Sequence, residues 1–175
     1  MPEMPSHNVL LSEEQIQSRI DELAKEISED YTGQSLLLLG VLKGSLHFLS
    51  DLARRIEVET EIDFVQVSSY GEGTESSGIV RIKKDLDNSI EGRHVLIVED
   101  ILDTGLTLKH LRELLGTRKP ASLKVVTLLR KPEALQHGAH AEYVGFDIEN
   151  RFVVGYGLDH GERFRNLPYV AELNQ

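Results

Sequence analysis

Cysteine is absent from the 175 residues of this chain, which excludes disulfides, thiolate zinc sites and cysteine nucleophiles. Long apolar runs are missing too, since none approaches the roughly 20 residues that a membrane-spanning helix requires. The first five residues have neither the basic nor the apolar region of a secretory signal. We therefore expect a cytoplasmic protein that does not associate with a membrane.

Positive charge is scarce. Lys and Arg number 19 against 29 for Asp and Glu, which gives a net charge of −10. An acidic surface argues against a non-specific nucleic-acid binder, so no nucleic-acid partner is expected. A small anionic substrate is compatible with this charge, because lysine, arginine, backbone N–H groups and a bound metal can make one site locally positive.

The pattern of the chain predicts one α/β domain over residues 1–175, with no repeat or linker dividing it. Ser12 and Gln15 form a capping box at the start of a helix. Apolar strands then alternate with helices, which predicts a mainly parallel central sheet flanked by helices. The predicted helices cover 13–28, 44–55 and 104–115, and the predicted strands cover 36–41, 62–68, 79–82, 95–98 and 123–129, with short β candidates at 143–146 and 152–155.

Ligands of such sheets bind beyond the carboxyl ends of the strands, which directs attention to the residues after Val41, Val98 and Leu129. The residues after Val98 are the richest in chemistry. Three acids, two threonines and a glycine fall within the nine residues 99–107. Paired carboxylates can bind ribose hydroxyls or magnesium, and hydroxyls with free N–H groups at a helix start can bind phosphate. Alternatively, Asp103 or Thr104 merely caps the following helix.

The sequence VLIVEDILDTGLT at 95–107 resembles the phosphoribosyl-pyrophosphate motif of the hypoxanthine-guanine phosphoribosyltransferases. The resemblance extends from about Leu36 to Leu173. It implies a type I phosphoribosyltransferase fold, with a core of about 30–130 and a small hood built from the N-terminal segment and about 131–175. It also implies Mg²⁺-dependent transfer of a phosphoribosyl group to a 6-oxopurine, hence purine salvage, by a homo-oligomer that is a dimer or tetramer.

The same resemblance assigns roles within the motif. Glu99 and Asp100 approach the ribose hydroxyls and the metal, which Asp159 also helps to hold. Asp103 is the catalytic base for the proton on N7 of the purine. The 5′-phosphate is bound by Asp103, Thr104, Gly105, Leu106 and Thr107.

Three other segments are expected to bind pyrophosphate. Leu42, Lys43 and Gly44, here named the pyrophosphate loop, resemble the family's segment with a non-proline cis peptide; without the resemblance, Lys-Gly is a plain connection. Ser69 and Tyr70 precede the polar stretch 71–78, which is either a hairpin tip or the mobile loop that closes over the reacting centre. Arg165 matches the family's pyrophosphate-binding arginine.

The purine is expected to meet Lys131, Phe152, Val153 and Asp159. By resemblance, Lys131 donates to the 6-oxo group, Phe152 stacks on the ring and Val153 contacts its edge through backbone groups. The plainer interpretations are a solvated turn lysine and a core phenylalanine. One departure stands out, because His160-Gly161 occupies the place where relatives commonly have a tyrosine and a small or polar residue.

Two alternatives remain open. The first is a regulator that kept the nucleotide pocket and binds RNA, which the presence of Asp103 and the acidic charge disfavour. The second is the same chemistry with a different base, since preference among hypoxanthine, guanine and xanthine depends on atoms near 153–160. His137 and His140 have no neighbouring acid at ligand spacing, so no metal site is expected there.

Overall fold

The computed structural model describes residues 6–69, 80–136 and 138–173. The strands are β1 His7–Leu11, β2 Leu36–Leu42, β3 Thr60–Ser69, β4 Val80–Lys84, β5 His94–Leu102, β6 Ser122–Arg130, β7 Tyr143–Asp147, β8 Val153–Val154 and β9 Val170–Leu173, and the helices are α1 Glu13–Asp30, α2 Leu46–Ala53 and α3 Leu106–Gly116. No helix in the described ranges is both long and apolar enough to cross a membrane.

The central sheet has six strands in the order β4-β3-β2-β5-β6-β7, and all of its neighbours are parallel except β3 and β4. Its middle strands are buried on both faces because their side chains alternate between two hydrophobic clusters. Leu36 and Leu38 of β2 join the cluster that includes α1 and α2. Leu37 and Leu39 join the cluster that includes α3. The mainly parallel α/β sheet expected from the sequence is confirmed.

Helix α1 begins where the sequence predicts. The Ser12 side chain accepts a hydrogen bond from the Gln15 N–H, and the Gln15 side chain accepts one from the Ser12 N–H. Its apolar residues at three-four spacing are all buried, namely Ile16, Ile20, Leu23, Ala24 and Ile27. Arg19 also donates to the carbonyls of Val144 and Gly145, so α1 satisfies acceptors on the outer strand β7.

Helix α2 differs from the prediction at its start. It begins at Leu46 rather than at 44, with Ser45 as its buried N-cap. Leu46 is apolar but 48% exposed, because at about 100° per residue it lies well off the buried face shared by Phe48, Leu49 and Leu52.

The two ends of the chain form a second sheet that the sequence did not reveal. It has three antiparallel strands in the order β1-β9-β8, and His7 pairs with Leu173. Neither β1 nor β9 was predicted, because each is short and its pairing partner lies at the other end of the chain. This sheet brings the residues after β8 next to the carboxyl ends of the central strands, since the turn at 155–157 contacts the pyrophosphate loop.

Strand β5 is longer than predicted. Glu99 and Asp100 do not follow it but lie within it, because pairing with β6 continues from Glu99 opposite Thr127 to Leu102 opposite Arg130. Pairing with β2 stops earlier, at Val98 opposite Gly40. The end of β5 is therefore paired with β6 on one edge and unpaired with β2 on the other, which leaves room for a site.

Candidate active site

The two acids of β5 lie on different sides of the strand, as successive strand residues must. Glu99 lines a small cavity of about 100 Å³ together with the segment 103–107, here named the phosphate loop. Asp100 instead packs against the pyrophosphate loop. A Cβ added to Gly44 would lie 1.7 Å from the Asp100 Oδ2, so only glycine fits at this position.

The phosphate loop is shaped by its backbone rather than by a side-chain cap. The N-cap of α3 is Gly105, at φ +87°, and no side chain caps the helix. Neither Asp103 nor Thr104 occupies the N-cap position predicted by that alternative, although the Thr104 hydroxyl lies 3.5 Å from the Leu106 N–H. A Cβ on Gly105 would meet the Ala139 Cβ at 2.2 Å, so this glycine also allows the next segment to pack closely. The N–H groups at this helix start can bind an anion, since the 3.5 Å contact from Leu106 to Thr104 is long for a hydrogen bond.

Asp103 and Lys131 form an ion pair at the edge of this cavity. The Lys131 Nζ donates to the Asp103 Oδ2 over 3.0 Å, and the Lys131 side chain is 8% exposed against 47% for Asp103. Lys131 follows β6 directly, and its N–H donates to the carbonyl of Leu102. A buried donor and a half-exposed acceptor thus lie side by side, and the expectation that Lys131 is only a solvated turn residue is wrong.

The pyrophosphate loop contains the expected cis peptide between Leu42 and Lys43. It is covered by the turn 155–157, here named the covering turn. A Cβ on Gly157 would lie 2.0 Å from the carbonyl oxygen of Gly44. Asp100, Gly44 and Gly157 are therefore stacked in direct contact, and the three segments meet at one point.

Arg165 and Asp159 lie beside this contact. The Arg165 guanidinium donates to the Gly157 carbonyl over 2.7 Å and lies 3.1 Å from the Asp159 carboxylate. Its Nε is buried and has no hydrogen-bond partner among the residues that the structure describes. Both residues act on Asp100, since Arg165 lowers the pKa of that carboxyl and Asp159 raises it.

Glu162 was not identified from the sequence as a site residue. Its carboxylate accepts from the Lys43 Nζ over 2.8 Å and from Arg165 over 3.2 Å, so it bridges two of the predicted pyrophosphate-binding residues. These contacts lower the pKa of Glu162, with Lys43 as the main cause. No local sequence signal points to this bridge, because it depends on the backbone of 161–162, where both φ angles are positive.

Phe152 is 48% exposed, so the expectation of a core phenylalanine is wrong. Its ring meets the imidazole of His160 edge-on, with centroids 5.4 Å apart and planes at 83°. Val153 is buried in β8 and pairs with Glu172. The departure at His160 therefore falls directly on the side chain that was expected to stack on the purine.

Burial raises the pKa of Glu99, and the charge of Asp100 raises it further. Burial also raises the pKa of Asp100, to about 6. None of the ion pairs in the described part of the chain involves either carboxylate. No three His, Asp or Glu side chains among residues 6–69, 80–136 and 138–173 converge as a complete metal site. The carboxylates of Glu99 and Asp100, which take part in none of those ion pairs, nevertheless suit magnesium. Proteins commonly hold this ion through one or two carboxylates, waters and the phosphates of a substrate.

Comparison with known proteins decides the family. The family model described as phosphoribosyl transferase domain matches residues 8–160. The chain belongs to the phosphoribosyl transferase family. It is 58% identical to a hypoxanthine-guanine phosphoribosyltransferase of Mycobacterium avium over 95% of this chain and 85% of the relative. It is 53% identical to the Bacillus subtilis protein of that name, over 94% and 92%.

Solved members of the family share the whole fold. A hypoxanthine-guanine phosphoribosyltransferase from Bacillus anthracis superposes with a TM-score of 0.93 at 46% identity, covering 98% of this chain and all of the other. Among the family residues predicted here, Ser69 ends β3 and its side chain is not described, while Tyr70 and the segment 71–78 lie outside the described residues. His137 lies outside them as well.

A larger open groove, of about 1160 Å³, lies between α1 and the connection from α2 to β3. It contains none of the site residues predicted from the sequence. Glu99 and the phosphate loop line the smaller cavity at the end of β5 instead.

Proposed function

We propose that this chain catalyses the Mg²⁺-dependent transfer of the 5-phosphoribosyl group from phosphoribosyl pyrophosphate to hypoxanthine or guanine, with IMP or GMP and pyrophosphate as products. Phosphoribosyl transfer to a purine in salvage follows from relatives that are 53–58% identical over nearly the whole chain. The choice of a 6-oxopurine is supported by one observation above all, the Lys131–Asp103 pair.

This pair suits the O6 and N7 edge of a 6-oxopurine. Lys131 can donate to the 6-oxo group, while Asp103 can accept a proton or a hydrogen bond from N7. A 6-amino group would instead set a donor against the Lys131 ammonium, and a buried donor without an acceptor is costly. The 3.0 Å between the two side chains puts both within reach of one ring edge.

The remaining assignments form one mechanism. Phe152 stacks on the purine and Val153 contacts its edge through backbone groups, so that N9 faces the anomeric carbon. As the N9–C1′ bond forms and the bond to pyrophosphate breaks, Asp103 takes the proton that leaves N7. The phosphate loop, residues 103–107, holds the 5′-phosphate through its backbone amides and the hydroxyls of Thr104 and Thr107.

The leaving group is bound by the pyrophosphate loop, Arg165 and, by resemblance, Ser69 and Tyr70. Glu99 and Asp100 bind the ribose hydroxyls, and with Asp159 they are the proposed ligands of magnesium. When bound, magnesium would neutralise the charge of pyrophosphate. The underused carboxylates of Glu99 and Asp100 support this assignment, and the short contact between Asp100 and Gly44 brings sugar and pyrophosphate sites together.

Three broader features also belong to the proposal. The first is the division into a core, about 30–130, and a hood formed by the N-terminal segment and about 131–175, which the separate three-stranded sheet supports. The second is a homo-oligomer, dimer or tetramer. The third is a cytoplasmic location. The last two rest on the sequence and its family resemblance.

A steady-state assay with hypoxanthine, guanine, xanthine and adenine, with and without Mg²⁺, tests the proposal. Turnover of a 6-oxopurine only when Mg²⁺ is present supports it, and a preference for adenine contradicts it. Asp103→Asn keeps the shape of the side chain but removes the base. It should lower kcat by about 100-fold or more while leaving the affinity for phosphoribosyl pyrophosphate largely unchanged. Full turnover in this variant would remove Asp103 as the base.

A further inference from the structure

We propose that the hydrogen bond between Tyr156 and Asp51 is a positioning contact that fixes the covering turn over the pyrophosphate loop. Through it, both residues would set the affinity for phosphoribosyl pyrophosphate and pyrophosphate without touching either ligand. The inference rests on the proposed function of the pyrophosphate loop and adds two residues to it. Neither residue was singled out by the sequence.

The covering turn has an unusual backbone. Gly155, Tyr156 and Gly157 all have positive φ angles, of 96°, 49° and 99°. Glycine adopts such angles freely, but a tyrosine there is strained and needs compensating contacts. Tyr156 has them, because its side chain is 5% exposed and its hydroxyl donates a short hydrogen bond to Asp51.

Both glycines are fixed by close approaches of other backbone. A Cβ on Gly155 would lie 2.1 Å from the carbonyl oxygen of Tyr169, and one on Gly157 would lie 2.0 Å from that of Gly44. Gly44 in turn leaves no room beside Asp100. The covering turn, the pyrophosphate loop and β5 are thus packed closely against one another, so a displacement of Tyr156 also shifts Gly157 relative to Gly44.

Asp51 is a firm anchor for Tyr156. It lies on α2, and its carboxylate also accepts from Gln17 of α1 over 3.0 Å and from Arg54 over 2.5 Å. Gln17 is itself held by Arg55 over 2.7 Å. Burial acts to raise the pKa of Asp51, but the hydrogen bonds from Tyr156, Gln17 and Arg54 lower it below its ordinary value. The acceptor is therefore ionised at neutral pH and fixed by two helices.

The position of α2 gives this contact its functional meaning. The helix begins directly after the pyrophosphate loop, with Ser45 as its N-cap. Asp51 and Gly44 therefore belong to one continuous segment, and Tyr156 and Gly157 to another. The Tyr156–Asp51 bond and the Gly157–Gly44 contact join these segments at two points. Loss of the Tyr156–Asp51 hydrogen bond therefore weakens the Gly157–Gly44 contact, and the backbone that would face pyrophosphate becomes less rigid.

Tyr156→Phe tests the inference, and Tyr143→Phe is its matched control. The Tyr143 hydroxyl donates to the Asp30 carboxylate over 2.5 Å, and Tyr143 is 3% exposed at the amino end of β7, away from the site. Both variants should lower Tm. Only Tyr156→Phe should weaken binding of phosphoribosyl pyrophosphate and of pyrophosphate, by about tenfold, which corresponds to about 1.4 kcal/mol. KM for hypoxanthine should change little in either variant.

Calorimetric titration with pyrophosphate and Mg²⁺ measures this without turnover. Equal pyrophosphate affinity in wild type and Tyr156→Phe would refute the positioning role, even if Tm fell. Should Tyr156→Phe fail to fold, Asp51→Ala removes the acceptor of the same hydrogen bond and provides the comparison. Weaker pyrophosphate binding at unchanged KM for hypoxanthine supports the role, and unchanged binding refutes it. A wild-type protein that binds pyrophosphate but transfers no phosphoribosyl group would refute the proposed function alone.

Discussion

Replacing Lys131 by methionine isolates the proposed recognition of the 6-oxo group. Methionine keeps an unbranched apolar chain of similar length, so the packing of the buried side chain is largely preserved. What is lost is the ammonium that lies 3.0 Å from Asp103. Because the Asp103 side chain is 47% exposed, water can solvate the carboxylate left behind. We therefore expect a loss of only about 1 kcal/mol in the free energy of unfolding.

The effect on catalysis should be larger. A hydrogen bond to a charged group contributes about 1.5–3 kcal/mol, and Lys131 is the proposed donor to the purine oxygen. The value of kcat/KM for hypoxanthine should therefore fall about 10- to 150-fold. With adenine the donor-against-donor conflict is removed, so the ratio of kcat/KM for hypoxanthine to that for adenine should fall as well. The affinity for phosphoribosyl pyrophosphate should stay close to that of the wild type.

Lys124→Met is the matched control. Lys124 is half-buried rather than buried, and its ammonium lies over the rings of Tyr31 and Tyr143, at 5.4 and 5.7 Å. This variant should lose stability and retain purine selectivity. Steady-state kinetics with hypoxanthine and adenine, together with thermal unfolding of both variants, complete the experiment. An unchanged hypoxanthine-to-adenine ratio in Lys131→Met would show that the lysine does not recognise the 6-oxo group.

Two further predictions concern backbone contact and pH. Gly157→Ala should lower Tm and raise KM for phosphoribosyl pyrophosphate, because a Cβ would lie 2.0 Å from the Gly44 oxygen. Its control is Gly33→Ala, which lies at φ +79° in open space and reports backbone strain alone, about 1–2 kcal/mol. Equal effects of the two substitutions would contradict a role for the Gly157–Gly44 contact. Glu142 accepts from Arg112 and from the N–H of Val125, and these bonds lower its pKa although burial opposes them. The stabilisation by Glu142 is therefore present above the unfolded pKa of about 4.3 and is lost as pH falls through the lower folded pKa. In denaturant titrations, Glu142→Gln should reduce the free energy of unfolding by about 1–3 kcal/mol at neutral pH and by less at about pH 3.5. A difference that does not depend on pH would contradict this.

Elements with local signals were predictable. The capping box and the three-four spacing of apolar residues place α1, and uninterrupted apolar runs place β2 and β5. Boundaries set by tertiary pairing were not. Strand β5 runs four residues beyond its apolar run because β6 continues to pair with it as far as Leu102. Strands β1 and β9 exist because the two chain ends pair with each other, which no window of neighbouring residues can reveal.

The site divides in the same way. Residue types within 99–107 are sufficient to predict an anion and sugar site, and the family resemblance adds the residues from other segments. The partition of Glu99 and Asp100 to opposite sides of β5 follows from strand geometry once the strand is known to include them. The bridge from Glu162 to Lys43 and Arg165 could not be predicted in this way, because Glu162 and Lys43 are 119 residues apart in the chain.

Glycine explains why these segments can meet at all. Gly44, Gly105 and Gly157 each stand where an added Cβ would come within about 2 Å of another segment. A sequence pattern indicates that a glycine permits a turn, but it does not say which other residue occupies the space that the missing side chain leaves. Asp100, Ala139 and the Gly44 carbonyl fill those spaces here. The motif therefore specifies the chemistry locally, whereas the distances that make the chemistry possible are set by contacts between glycines and segments far away in the chain.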